Sequence, residues 1–337
     1  MRKRKRRNRF NRIILILCGV AAALLAVFLV LSFLEDARMK EAARQRAEEL
    51  NGPQNGISVI TYEGKSYRSN PNIRSYLFIG VDEREEDFVD ESLAPGDAGQ
   101  ADCLILLSLN TETQEGQLLQ INRNAMTELD IYGQLGNVDR TVNGQICLQY
   151  AYCTGGKRSC FAQTKTVEDL LFGIGIHGYL SLSLPGIAEV NDALGGVDVA
   201  IDQDYTWIDP SFTQGSTVHL QGETATHFVQ YRDTSQFNSV EDRMKRQTTY
   251  VTALIDSLKD RGGESLYNTL SPFLDNVILT DLSAQEMSQL RDYTYDTDNV
   301  MTLPGQMVQG EEYEEYQVDN SQLEALIIQL FYQEADE

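Results

Sequence analysis

From residue 74 onward, short and nearly continuous apolar runs alternate with polar stretches whose apolar residues recur at helical spacing. Ser75–Val81 (SYLFIGV), Cys103–Asn110 (CLILLSLN) and Gln117–Ile121 have strand length and little polar alternation, which predicts strands covered on both faces. Tyr179–Leu184 and Val197–Ile201 predict two more. Between them, Gln163–Phe172 places Val167, Leu170 and Leu171 on one helical face, and Pro185–Leu194 reads as a helix opened by proline and closed by Gly195-Gly196. Gln221–Tyr231, Val240–Lys259 and Ser321–Tyr332 predict three further helices. Interleaved strands and helices of this kind predict an α/β fold, an α-β-α sandwich around a central mixed sheet.

The N-terminal pattern is different. Ile13–Leu34 runs 22 residues without a charge, roughly 33 Å as a helix, enough to cross a hydrocarbon core. The preceding MRKRKRRNRFNR holds eight basic residues and no acid, so the positive-inside rule keeps it cytoplasmic and turns the rest of the chain outward. The span exceeds a signal-peptide core and ends in Ser-Phe-Leu-Glu-Asp, a poor cleavage site. The sequence thus divides into a cytoplasmic basic tail (1–12), a transmembrane helix (13–34) and a stalk and linker (35–73) with at most one short strand. A main domain (74–262) and an acidic C-terminal extension (263–337) packing on it follow. The expected location is the cell membrane, single-pass, with the main domain extracellular.

Charge narrows the function classes. Beyond the basic tail, 20 basic residues face 50 acidic ones, which argues against nucleic acid as a partner. Three histidines (His177, His219, His227) give little material for a zinc site or a Ser/His/Asp triad. Gly155-Gly156-Lys157-Arg158-Ser159 lacks the first glycine of a phosphate-binding loop and has Arg158 at its hydroxyl position, so a basic turn between helices is the better reading. Cys103 reads as a small core residue. Cys147, Cys153 and Cys160 fall within fourteen residues, and in an oxidising compartment one disulfide, most simply Cys147–Cys160, is expected.

Candidate chemistry gathers at strand ends. Asp82 and Arg84 follow the first strand, Asp102 precedes the second and Arg123 ends the third, positions that converge on one crevice of an α/β sheet. Ser239-x-x-Asp242 suggests a capping box that puts Arg243 in the first turn of the long helix. At 100° per residue the apolar stripe of that helix centres roughly 75° from Arg243, with Gln247 inside it at about 40° and Lys245 facing solvent at about 200°. A buried Arg and Gln at a helix start suit a phosphate as well as a stem-buried Arg reaching an acid.

These motifs together resemble the LytR-CpsA-Psr family of cell-wall glycopolymer transferases. The resemblance runs from about Arg74 to Leu258. It rests on Gly80-Val81-Asp82-Glu83-Arg84, Asp102, Ile121-Asn122-Arg123, Tyr150-Ala151-Tyr152 with Gly155-Gly156, Asp192–Val199 (DALGGVDV), Leu220–Ala225 and Arg243-Met244-Lys245-Arg246-Gln247. It implies an extracytoplasmic phosphotransferase that moves a glycopolymer from a polyprenyl-pyrophosphate carrier to a peptidoglycan hydroxyl. In that reading Asp82 and Asp102 hold Mg²⁺, while Arg84, Arg123, Arg232 and Arg243 clamp the pyrophosphate with Gln247 beside them, and apolar helices line a slot for the prenyl tail. The chain departs from the pattern at Gln100, Gln145 and Gln230, where the family carries cations, and at Asn124, where it carries Asp. A polyprenyl-phosphate-binding scaffold or regulator of wall assembly, or a pyrophosphate hydrolase, stays open as an alternative.

Overall fold

The computed structural model describes residues 59–83, 85–133, 136–259 and 266–335. The expected membrane span, the stalk and Arg84 lie outside them, and among the described residues no helix is long and apolar enough to cross a membrane.

The strands are β1 (Val59–Tyr62), β2 (Lys65–Ser69), β3 (Ile73–Asp82), β4 (Gln100–Asn110), β5 (Glu115–Ile121), β6 (Met126–Tyr132), β7 (Val138–Gln145), β8 (Gly178–Ser183), β9 (Val197–Ala200), β10 (Thr217–Leu220), β11 (Ile278–Thr280), β12 (Thr294–Tyr295), β13 (Met301–Thr302), β14 (Gly305–Gln309), β15 (Glu314–Val318) and β16 (Tyr332–Glu334). The helices are α1 (Glu85–Phe88), α2 (Leu148–Ala151), α3 (Gly156–Leu170), α4 (Gly186–Ala193), α5 (Glu223–Gln230), α6 (Ser239–Lys259), α7 (Leu266–Leu270), α8 (Ala284–Gln289) and α9 (Asn320–Phe331).

The central sheet is mixed and runs β11-β8-β3-β4-β5-β12, with β13 also on β5. β3 lies parallel to β8 and antiparallel to β4, and β5 is parallel to β12 and β13. On one face Leu77, Ile79, Leu104 and Leu106 pack against Val167 of α3 and Leu323 and Ile327 of α9. On the other, Cys103, Ile105 and Leu118 meet Val251 and Ile255 of α6, while Leu182 meets Val190 of α4 and Leu270 of α7. Apolar residues on both faces explain why these strands read as unbroken hydrophobic runs. A side lobe closes the far flank of α6, with Val197 and Val199 of β9, Tyr205, Phe212, Phe228 of α5 and Tyr250 packed together.

Both chain boundaries differ from the local pattern. The linker was expected to hold at most one strand and the folded part to begin near Arg74, yet β1 and β2 form a hairpin whose second strand pairs with β16 at the other end of the chain. Lys65–Ser69 has one strand partner in its own hairpin and a second more than 260 residues away, beyond any local signal. The C-terminal extension is built into the sandwich, since β11, β12 and β13 extend the central sheet and α9 covers a face. The expected Cys147–Cys160 disulfide is absent, and Cys103, Cys147, Cys153 and Cys160 are all free and buried. Cys147 turns toward Arg123, whereas Cys160 sits in the core with Tyr150 and Val167.

Candidate active site

The site forms where the end of β3, the start of β4 and the end of β5 meet the first half of α6. A β-bulge places its central acid. Register runs Gly80 to Cys103 and then Val81 to Ala101, so Asp102 is the extra residue. The bulge leaves Ala101 with the α3-facing core and turns Asp102 beside Cys103, where both line the wall under α6. Gly80 permits this close approach, because a Cβ there would lie 2.9 Å from that of Cys103.

Asp102 is gripped by two arginines. Arg123 Nη2 lies 3.1 Å from its Oδ1 and Arg243 Nη1 lies 2.8 Å from its Oδ2. Both guanidiniums are buried, Arg123 at 8% and Arg243 at 6% exposure, yet Arg123 Nε and Arg243 Nε and Nη2 have no hydrogen-bond partner. Buried donors are normally satisfied, so these N–H groups mark room for an acceptor. Arg123 Nη2 also donates to Gln100 Oε1 and, at 2.9 Å, to Cys147 Sγ. Burial, against the pull of Arg123, raises the Cys147 thiol pKa and keeps it a neutral acceptor. The half-buried Arg232, in the α5–α6 loop, has its pKa lowered by burial and then by the charges of Arg243 and Arg123. Three cations therefore crowd one carboxylate, each oxygen of which already accepts from an arginine.

Asp82 stands at the exposed end of β3. Its pKa is raised, first by partial withdrawal from water and then by Asp102, with Arg243 and Arg123 pulling the other way. Gln247 is buried, its Nε2 3.5 Å from Asp102 O and 3.4 Å from Val229 O, and its Oε1 is unpartnered. Lys245 is exposed and pairs with Asp202, on the solvent side that the helical wheel assigned it. The helix begins at Ser239, one residue earlier than expected, so Arg243 falls in its second turn and offers a side chain rather than a free backbone N–H. The structure thus brings together Asp82, Asp102, Arg123, Arg232, Arg243 and Gln247. Arg84 lies outside the described residues.

An apolar slot opens beside this cluster, lined by Phe78, Val81, Leu182, Ile187, Val229 and Val251 and ending at Asp82, Asp102, Arg243 and Gln247. For a metal, the described residues hold no group of three or more His, Cys, Asp or Glu. Mg²⁺ needs only one or two carboxylates when phosphate and water complete its shell. Asp82 and the spare lone pairs of Asp102 fit that donor set, and a cation there would relieve the repulsion between the two carboxylates.

Gln100, Cys147 and Arg246 are parts of the site's frame that helical spacing does not single out. Arg246 is 1% exposed; it donates to Phe228 O and Tyr231 O, and its guanidinium lies 5.0 Å over the Tyr205 ring. Those bonds tie down the end of α5 and the start of the loop that carries Arg232. The aromatic residues Tyr205, Phe212 and Phe228 are the signal that a second apolar surface covers this flank of α6. The Gly155-Gly156 segment serves packing instead. A Cβ on Gly155, at φ +87°, would meet Asp90 O at 2.1 Å, while Lys157 and Arg158 pair with Asp275 and Glu91.

The family model for LytR_cpsA_psr matches residues 28–331. The chain belongs to the LytR-CpsA-Psr family. A polyisoprenyl-teichoic acid--peptidoglycan teichoic acid transferase TagU of Bacillus mycoides (strain KBAB4) is 28% identical over 217 residues, covering 64% of this chain and 63% of the relative. The match therefore spans under two thirds of that relative's length. Among solved structures, B. subtilis TagV aligns with TM-score 0.56 at 21% identity over 77% of this chain and 96% of its own. TagT bound to LIIa-WTA aligns with TM-score 0.55 at 20% identity over 77% and 89%. These likenesses establish the mixed α/β fold.

Proposed function

We propose that this LytR-CpsA-Psr protein is a phosphotransferase that moves a glycan phosphate from a polyprenyl-pyrophosphate carrier to a hydroxyl of peptidoglycan, on the outer face of the membrane that Ile13–Leu34 would span. The observation that carries the reading is Arg243, with its buried unpartnered Nε and Nη2, at the end of an apolar slot, joined through Asp102 to Arg123 and with Arg232 near both. A pyrophosphate joined to a hydrocarbon tail presents that same pairing of charge and apolar surface. In a body this acidic, a local cation cluster is also what permits a polyanion to approach.

Arg123, Arg232 and Arg243 would bind the two phosphates, and Gln247 would add a neutral donor. Asp102 fixes two of the guanidiniums so that they need no reorganisation as charge moves onto the leaving group. The acceptor oxygen forms a bond to the sugar-side phosphorus, the bridging P–O bond breaks, and polyprenyl phosphate leaves with the electron pair. The acceptor proton passes to a site aspartate, and Asp82 is the one not saturated by arginine. Mg²⁺ held by Asp82 and Asp102 would neutralise phosphate charge.

The test is binding of a polyprenyl pyrophosphate, followed by phosphodiester formation on a peptidoglycan acceptor, in the native chain and in Asp82→Ala. Binding with transfer that Asp82→Ala abolishes supports the reading. Release of free glycan phosphate makes the protein a hydrolase. Binding without turnover favours the scaffold, with Gln100 and Gln145 replacing cations beside Arg123 as the reason.

A further inference from the structure

A second, polar cleft of about 420 Å³ shares no lining residue with the apolar slot, and its size suits a small ligand. Arg123 and Arg232 line it, and Arg123 Nε is buried and unpartnered. The tip of the β14–β15 hairpin also lines it, contributing Glu312, Tyr313 and Glu314. Gln100 and Gln145 belong to the same lining.

The hairpin is fastened to the site at three points. Tyr316 N donates to Asn124 O at 2.9 Å, Gln145 Nε2 donates to Glu314 O at 2.7 Å, and Asn238 N donates to Glu314 Oε1 at 2.8 Å. Glu314 is close enough to Arg232 to oppose the lowering of its pKa. Glu312 and Tyr313 remain exposed at the tip, Tyr313 at 41%. The cleft thus balances two arginines against two carboxylates and offers amides and a phenol ring elsewhere, a surface that suits a sugar ring rather than a further phosphate.

We propose that the β14–β15 hairpin is the specificity wall of the site, and that Glu312 and Glu314 select a neutral or amino-bearing sugar next to the pyrophosphate over an acidic one. The inference rests on the pyrophosphate site proposed above. An acidic sugar in this cleft would face the hairpin carboxylates after the two arginines had been committed to phosphate, whereas an N-acetylated or free amino sugar would meet no repulsion. Like-charge contact of this kind is an effective means of rejecting a wrong partner.

The experiment uses the full-length chain in detergent and displacement of a fluorescent bare polyprenyl pyrophosphate. The competitors carry the same prenyl pyrophosphate joined to an N-acetylhexosamine, a free hexosamine or a hexuronic acid. The native chain should bind the first two about tenfold or more tightly than the hexuronate. Glu312→Gln, at an exposed position, should narrow that ratio about threefold, and Glu312→Lys should narrow it further or invert it. Equal competition by the three ligands, or a ratio indifferent to both substitutions, overturns the specificity wall while leaving the pyrophosphate site standing. Failure of the bare carrier to bind overturns the site and this inference together.

Discussion

Two arginines three residues apart on α6 share burial, helix and charge, yet the fold treats them differently. Arg246 is spent inside the protein, since both its terminal nitrogens donate to carbonyls at the α5 end and its face lies over an aromatic ring, leaving Nε alone without a partner. Arg243 gives one bond to Asp102 and leaves Nε and Nη2 without partners. The first arrangement is what a structural arginine needs; the second is incomplete until an anion arrives. Burial alone therefore does not separate framework from function on this helix. An unmet terminal nitrogen, present in Arg243 and absent in Arg246, does.

The comparison yields a graded set of substitutions. Arg243→Ala should have the largest effect, lowering pyrophosphate affinity about 100-fold with little change in melting temperature, as read by calorimetry and thermal unfolding. Arg246→Ala should reverse that pattern. It leaves two carbonyls unpaired and opens a hole over Tyr205, so denaturant unfolding should show a loss of about 3 kcal/mol. An Arg246→Ala protein that stays stable but cannot bind would erase the distinction between the two residues.

Asp82→Asn should abolish transfer yet raise thermal stability at neutral pH. Its folded-state pKa lies above the ordinary carboxylate value, so the folded chain holds more protons than the unfolded one between those two values. Stability falls as pH rises through that window and the penalty persists above it. The gain from Asp82→Asn should thus be present at pH 7 and vanish at pH below the ordinary carboxylate range, a trend that melting curves across pH would reveal or refute. Lys245→Ala, on the exposed flank, should change stability by about 0.5 kcal/mol or less and leave binding unaltered.

The strands β3, β4, β5 and β8 were legible because both faces of the sheet are covered, which writes itself as continuous apolar runs such as Leu104–Leu107, whereas the largely uncovered β6–β7 hairpin was not. The helical wheel of α6 likewise separated Arg243 and Gln247 from Lys245. It could not place Arg246, which lies about 60° from Arg243 on the side away from the apolar stripe. That flank is buried only because the Tyr205–Phe228 lobe, distant in sequence, folds over it. The bulge at Asp102 was similarly invisible, since it depends on how β3 and β4 pair. Cys147 drew attention as a disulfide partner, whereas its position beside Arg123 depends on where the β6–β7 hairpin delivers it. The strands of residues 278–318 are two to five residues long, and the edges of β5 and β8 and the strand beside each supply what their own patterns lack.

The central claim is that Arg243 on the buried flank of α6 is the anion-binding arginine. The most direct measurement is calorimetric titration of a short-chain prenyl pyrophosphate into the native protein, Arg243→Ala and Lys245→Ala at two ionic strengths. The predicted result is binding in the native and Lys245→Ala proteins that weakens with salt, and none measurable in Arg243→Ala. Equal losses in the two variants, or undiminished binding by Arg243→Ala, would contradict it.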